Sequence, residues 1–258
     1  MLNKISKSFF VIGSLIIFSS AFTACKKDNS NNSTGPTQDL VLHVHNTAGN
    51  KLISYDSVYT DNTGRKYLIT SFQYYITNLR LVKNDGTEIP VTGKYQPFAL
   101  LISPLALNYD LGQQPVGDYK GIRFDIGVDS ATNHSDPTAR PFDDPLALQN
   151  DEMHWDWSQG YLFMKLEGKV DSTASATGEP TIPIVMHLGL DQNYTPIDLS
   201  NSFFQIVQGS DLQIVMQCDV NQLFNNVDLR TDNQTHTFDN QTLANDLVAN
   251  WPNMYSLQ

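Results

Sequence analysis

In one segment of this chain after another, apolar side chains recur at every second position. That period matches the alternation of side chains across a β-strand and commits the chain to sheets. Leu40-Val41-Leu42-His43-Val44-His45 reads as a first strand. Residues 66–70, 72–82, 121–128, 161–167, 183–188, 203–207 and 211–218 repeat the pattern. Asn84-Asp85-Gly86-Thr87 is a hairpin turn signal. Short strands with turns between them predict an all-β fold, an antiparallel sandwich or barrel. Two short helices are expected. Asp219 is placed to cap residues 220–224, and Asp239 or Thr242 to cap a turn pair carrying Leu243, Leu247 and Val248. The stretch from Asp129 to Met153 has no period and is expected to be a long inserted loop, a length often associated with function.

The first 25 residues belong to a different regime. Lys4 and Lys7 precede an uncharged, largely apolar run that ends at Phe22-Thr23-Ala24-Cys25. A positive start, a short apolar middle and small residues before a cysteine resemble a bacterial lipoprotein signal. The expected organisation is a signal peptide over 1–24, a flexible tether over 25–38 from a lipidated Cys25, and a folded domain over 39–258. The acyl chains on Cys25 would hold the protein on a membrane in the periplasm or at the cell surface. The formal net charge is −11, and loss of residues 1–24 removes two lysines and no acid, leaving −13. An acidic chain lacks the basic face that nucleic acid requires. With Cys25 lipidated, Cys218 has no partner in the chain. It lies in an alternating strand and is expected to face the core.

Imidazole is a ligand for copper and zinc, and the chain has six histidines. His43 and His45, two apart on a strand, share a face and can form a two-nitrogen clip. His154 abuts the tryptophans of Met153-His154-Trp155-Asp156-Trp157, His134 lies in the long loop, and His187 and His236 occur later. Asp129, Asn133, Asp136, Asp143, Asp144 and Asp151 supply oxygen atoms of the type calcium takes, although their spacing matches no EF-hand. No nucleophile elbow, P-loop, zinc-protease or dinucleotide motif is present, so binding rather than catalysis is expected.

Several ordered blocks carry a family resemblance. They are Tyr74-Tyr75-Ile76-Thr77-Asn78-Leu79-Arg80-Leu81, Tyr119-Lys120-Gly121-Ile122-Arg123-Phe124, Ile126-Gly127-Val128-Asp129, Met153-His154-Trp155-Asp156-Trp157, Gly160-Tyr161, Lys165-Leu166-Glu167-Gly168 and His187-Leu188-Gly189. From about Leu40 to Tyr255 the chain resembles the MbnP family of bacterial periplasmic and surface proteins. The resemblance implies a β-sandwich, of Greek-key, Ig-like type. It also implies copper held by histidines, with a tryptophan oxidised to kynurenine by a di-haem enzyme of the MauG type. By position, Trp155 and Trp157 are the tryptophans concerned. His45 and His187 are the leading ligand candidates, followed by His43 and His236. Some copper-binding relatives have Trp-x-His where this chain has Trp155-Asp156-Trp157; a carboxylate there would favour Zn(II) or Cu(II) over Cu(I). The alternatives are an interaction module that presents Trp155, Trp157 and Tyr161 to a glycan or an outer-membrane transporter, and a hydrolase using two carboxylates about 5–10 Å apart.

Overall fold

A computed structural model describes residues 35–55, 57–148, 152–155 and 159–258. The leader, Cys25 and most of the tether lie outside the described residues, as do Asp151, Asp156 and Trp157. The strands in chain order are Thr37–Ala48 (β1), Lys51–Leu52 (β2), Val58–Thr60 (β3), Lys66–Lys83 (β4), Glu88–Pro90 (β5), Ala99–Ile102 (β6), Asn108–Pro115 (β7) and Gly117–Ile126 (β8). They continue with Leu162–Val170 (β9), Ile182–Gly189 (β10), Thr195–Leu199 (β11), Phe204–Ile206 (β12), Leu212–Asp219 (β13), Gln234–Thr235 (β14) and Tyr255–Leu257 (β15). Among the described residues three α-helices accompany them: Ser130–Asn133 (α1), Val220–Leu223 (α2) and Gln241–Met254 (α3).

The strands form two sheets in a sandwich-like, all-β fold. The smaller runs β15-β13-β1-β2, with β7 also on β1; the larger runs β11-β8-β4-β9-β10-β14, with β12 on β8 and β3, β5 and β6 on β4. The expectation of purely antiparallel sheets needs correction. β1 pairs with β13 in parallel, Leu40 opposite Leu212, and β10 pairs with β14 in parallel. Nearly the whole domain intervenes between β1 and β13, which leaves ample chain for the crossover that parallel pairing requires.

β4 decides which way each neighbour faces. Tyr74 points inward, its hydroxyl donating to Asn46 Oδ1 of the smaller sheet at 3.2 Å and its ring tilted on Tyr255 at 5.8 Å. Leu42 and Val44 of β1 and Met216 and Cys218 of β13 are fully buried with it. Burial pushes the Cys218 thiol up to about 12, so it behaves as a small apolar residue there. Tyr75 points outward, and its hydroxyl donates to Pro145 O at 3.0 Å. The long segment between β8 and β9 thus covers the outer face of the larger sheet. The first half of β9 is buried on both faces as a result, and even Lys165 is only 6% exposed.

Several boundaries differ from expectation for local reasons. The first strand begins at Thr37, not Leu40, because Thr37 and Gln38 pair with Pro115 and Gln114 of β7. β4 is continuous through Ser71, where two strands were expected. Asp219 caps α2 by accepting from Asn221 N at 3.0 Å. α3 is capped by Asn240, which accepts from Leu243 N at 3.2 Å, while Asp239 is engaged by His236.

Tyr74→Phe is expected to leave the buried Asn46 carbonyl oxygen without its donor. That should cost about 1–3 kcal/mol, seen as a lower urea midpoint at unchanged slope.

Candidate metal centre

The register separates the four leading histidines into two pairs. On β1, Leu42, Val44 and Asn46 face the core, so His43 and His45 project from the outer face of the smaller sheet. On β10, Met186 and Leu188 lie opposite Leu166 and Met164, inward neighbours of Phe72 and Tyr74, so His187 projects from the outer face of the larger sheet. Stacked sheets lie about 10 Å apart, and these side chains point away from each other across that thickness. His45 and His187, expected to meet, therefore do not. Among the described residues no group of three or more His, Cys, Asp or Glu side chains converges as a ready metal cage.

His187 meets His236 instead. Their rings stand 5.0 Å apart at 89°. His236 follows β14, which adds to the edge of β10. Thr237 locks the two segments together: its hydroxyl donates to His187 O at 2.8 Å and accepts from Gly189 N at 3.1 Å. Thr237 is 1% exposed at φ 68, a left-handed conformation unusual for a β-branched residue. A β-branched residue held there is a strained position of the kind found at functional sites.

Each imidazole has one ring nitrogen on a carboxylate. His187 Nε2 is 2.7 Å from Glu167 Oε1, and His236 Nδ1 is 2.8 Å from Asp239 Oδ2. Metal-ligating histidines characteristically place their second nitrogen this way, which sets tautomer and orientation. The donor set left over is His187 Nδ1 and His236 Nε2, two imidazole nitrogens that suit copper or zinc. Burial holds His187 below the usual imidazole value of 6.5, against the opposing pull of Glu167, and His236 and Lys165 lower it further. His187 is therefore neutral, and able to take a metal, through the neutral pH range.

Trp155 packs against residues next to this pair. Its ring lies edge-on to Phe238 at 5.6 Å, two residues beyond His236. It also packs against Gly189, two residues beyond His187 on the same face. A Cβ on Gly189 would stand 2.7 Å from Trp155 Cζ3 and 2.6 Å from Tyr161 O, so the His-x-Gly spacing has a steric cause. The indole Nε1 is buried and has no hydrogen-bond partner among the described residues. An orphaned buried donor costs about 1–3 kcal/mol and calls for a chemical explanation. Gly160 is needed as well: at φ 75 its Cβ would meet Asn133 Oδ1 at 2.3 Å, and that oxygen accepts from Tyr161 N at 2.8 Å.

The remaining expected residues lie elsewhere. His154 forms an isolated bridge with Tyr161, their rings 4.7 Å apart. His134 Nε2 is 3.1 Å from Asp191 Oδ2. Tyr161 is fully buried with its hydroxyl donating to Leu146 O at 2.7 Å, so it offers no face to a glycan. The acids of the long loop are dispersed in structural roles. Asp129 caps α1, Asp136 caps the 3-10 turn Pro137–Ala139, Asp143 accepts from Lys94 and Tyr95, and Asp144 accepts from Arg140. Their oxygens meet local donors rather than one another, which leaves the calcium reading without a site among the described residues. Sequence reasoning missed Glu167, Asp239 and Thr237, the residues that orient the imidazoles. Their visible traces were the Thr-His-Thr-Phe-Asp run at 235–239 and, for Glu167, the Lys165-Leu166-Glu167-Gly168 block.

The fold and this patch together define a class, a two-sheet sandwich with an imidazole pair and an indole on one outer face. The chain belongs to the MbnP family, whose model matches residues 37–240. That family takes part in copper handling, so a metal-related role holds at the family level. Among solved structures the chain is similar to MbnP from Methylosinus trichosporium, at 17% identity and a TM-score of 0.53, over 73% of this chain and 78% of that one. No curated protein matches the chain.

Two outcomes are expected. In an NMR titration His187 half-protonates below 6.5, and Glu167→Gln lowers the midpoint further. Because the folded value is depressed, the folded state binds fewer protons than the unfolded chain. His187 therefore removes stability as pH falls from 6.5 through its folded value. Gly189→Ala is expected to cost about 1–3 kcal/mol by overpacking and to alter the near-ultraviolet circular dichroism as Trp155 is displaced.

Proposed function

We propose that this protein is a non-catalytic copper-binding lipoprotein, held at the periplasmic or outer surface of a membrane through Cys25, that serves copper acquisition or storage. The observation that carries the reading is the His187–His236 pair beside Trp155, with rings 5.0 Å apart and each imidazole oriented by its own carboxylate. His187 Nδ1 and His236 Nε2 would hold the ion. Two imidazole nitrogens, with the His187 side chain 17% and the His236 side chain 41% exposed, suit Cu(I), whose charge needs little compensation. Trp155 is the residue we propose for oxidation to kynurenine by a MauG-like di-haem partner. Its packing against Phe238 and Gly189, each two residues from one of the histidines, and its orphaned Nε1 support that choice. Trp157 lies outside the described residues. An outer-membrane transporter would be a natural recipient for copper released at this surface.

The lipid anchor rests on the cysteine that follows the apolar leader. Among the described residues no helix is long and apolar enough to cross a membrane; the attachment we propose is through acyl chains on Cys25.

The test is to load the purified full chain with Cu(I), desalt it and measure bound metal. The wild type is expected to retain copper, and His187→Ala and His236→Ala to lose it. A wild type that retains none rejects the reading. Co-expression with the di-haem partner is expected to give an intact-mass change matching one tryptophan converted to kynurenine, and Trp155→Phe to abolish it.

A further inference from the structure

The other imidazole pair is built as a site in its own right. His43 Nε2 and His45 Nε2 stand 3.0 Å apart, with the rings at 82°. Both side chains are half-buried on the outer face of the smaller sheet. Asn108 of β7, directly opposite His43, accepts from His43 Nδ1 with its Oδ1 at 2.6 Å. A carboxamide oxygen can only accept. His43 therefore carries its proton on Nδ1 and presents Nε2 as a lone pair, so His45 Nε2–H is the donor of the 3.0 Å contact. Beside His45 lies a concave surface lined by Thr47, Asn50, Leu52, Gln217 and Gln258, with room for further ligands.

We propose that His43 and His45 form a second metal site, a two-imidazole clip for Cu(II), separate from the centre at His187. Its geometry carries the choice of ion. An ion bound at about 2.0–2.1 Å from each nitrogen, the imidazole norm, would subtend about 90–97° across 3.0 Å. That angle belongs to tetragonal coordination, which Cu(II) prefers, and not to the tetrahedron of zinc. On binding, the His45 proton moves from Nε2 to Nδ1, both rings stay neutral, and both Nε2 lone pairs face the ion. Asn108 serves as the outer partner that fixes the His43 tautomer, as such partners do at metal sites. The remaining coordination positions stay open to water and small exogenous ligands on the concave side. The two centres thus differ in oxidation state as well as place.

The test titrates the detergent-solubilised full chain with Cu(II) and follows it by continuous-wave and pulsed electron paramagnetic resonance. The expected result is one Cu(II) with two directly coordinated imidazoles in the wild type. His43→Ala and His45→Ala should each abolish that signature, and His187→Ala should leave it intact. Asn108→Ala, acting from another strand, should weaken binding by about tenfold or more. A two-imidazole signal that survives both His43→Ala and His45→Ala overturns the proposal, as does the absence of Cu(II) uptake by the wild type. Displacement of the bound Cu(II) by an equal concentration of Zn(II) overturns the geometric basis for the choice of ion.

Discussion

The side-chain alternation of β4 is the constraint from which the rest of the molecule follows. Tyr74 hydrogen-bonds inward across the sandwich and Tyr75 outward to the covering segment, and every strand that pairs with β4 inherits that polarity. Through β9 it places Lys165 and Glu167 outside, and through β10 it places His187 outside beside them. A slip of one residue would send the whole set into the core. Asn78 shows how the register is managed along so long a strand. It sits at φ 50 where pairing with β8 shifts, and its amide donates to Asp125 at 2.6 Å, so a bulge absorbs the twist.

Much of the sandwich was legible because alternation is a strong signal when one face is wet. β1, β8, β10 and β13 were readable on that ground, as was the cap at Asp219. The strands that escaped notice lack the signal. β11 contains Pro196, which argues against a strand, and β7 is polar along most of its length, with Asp110, Gln113 and Gln114. Parallel pairing cannot be read from one strand's pattern. The site was legible in its residue types and not in its partnerships. His43 and His45 were correctly paired, since i and i+2 on a strand must share a face. His45 with His187 was a guess about two sheets, and the periods of single strands do not say which outer face belongs to which sheet. The union of His187 with His236 depends on Thr237, a contact between segments about 50 residues apart.

The acidity of the chain takes on a different meaning once the partners are known. The carboxylates of the long loop cap turns and meet Lys94, Tyr95 and Arg140, while Glu167 and Asp239 bond the second ring nitrogens of the imidazoles, across each ring from the nitrogen left free. A carboxylate in that position raises the basicity of the ring without competing for the ion. At His187 burial works against protonation of the ring. The two effects together keep a neutral, strongly donating nitrogen where an exposed histidine would be partly charged.

The parallel union of β1 with β13 has a consequence in time. Leu40 waits for Leu212, so one edge of the first strand has no native neighbour until roughly the last fifth of the polypeptide has been made. Long-range pairing of this kind slows folding, and an open strand edge is a template for pairing with other molecules in the interval. The emerging chain must therefore be kept solitary until its end arrives, and truncation from the C-terminus would first strip β15 from β13 and, carried further, β13 from the first strand.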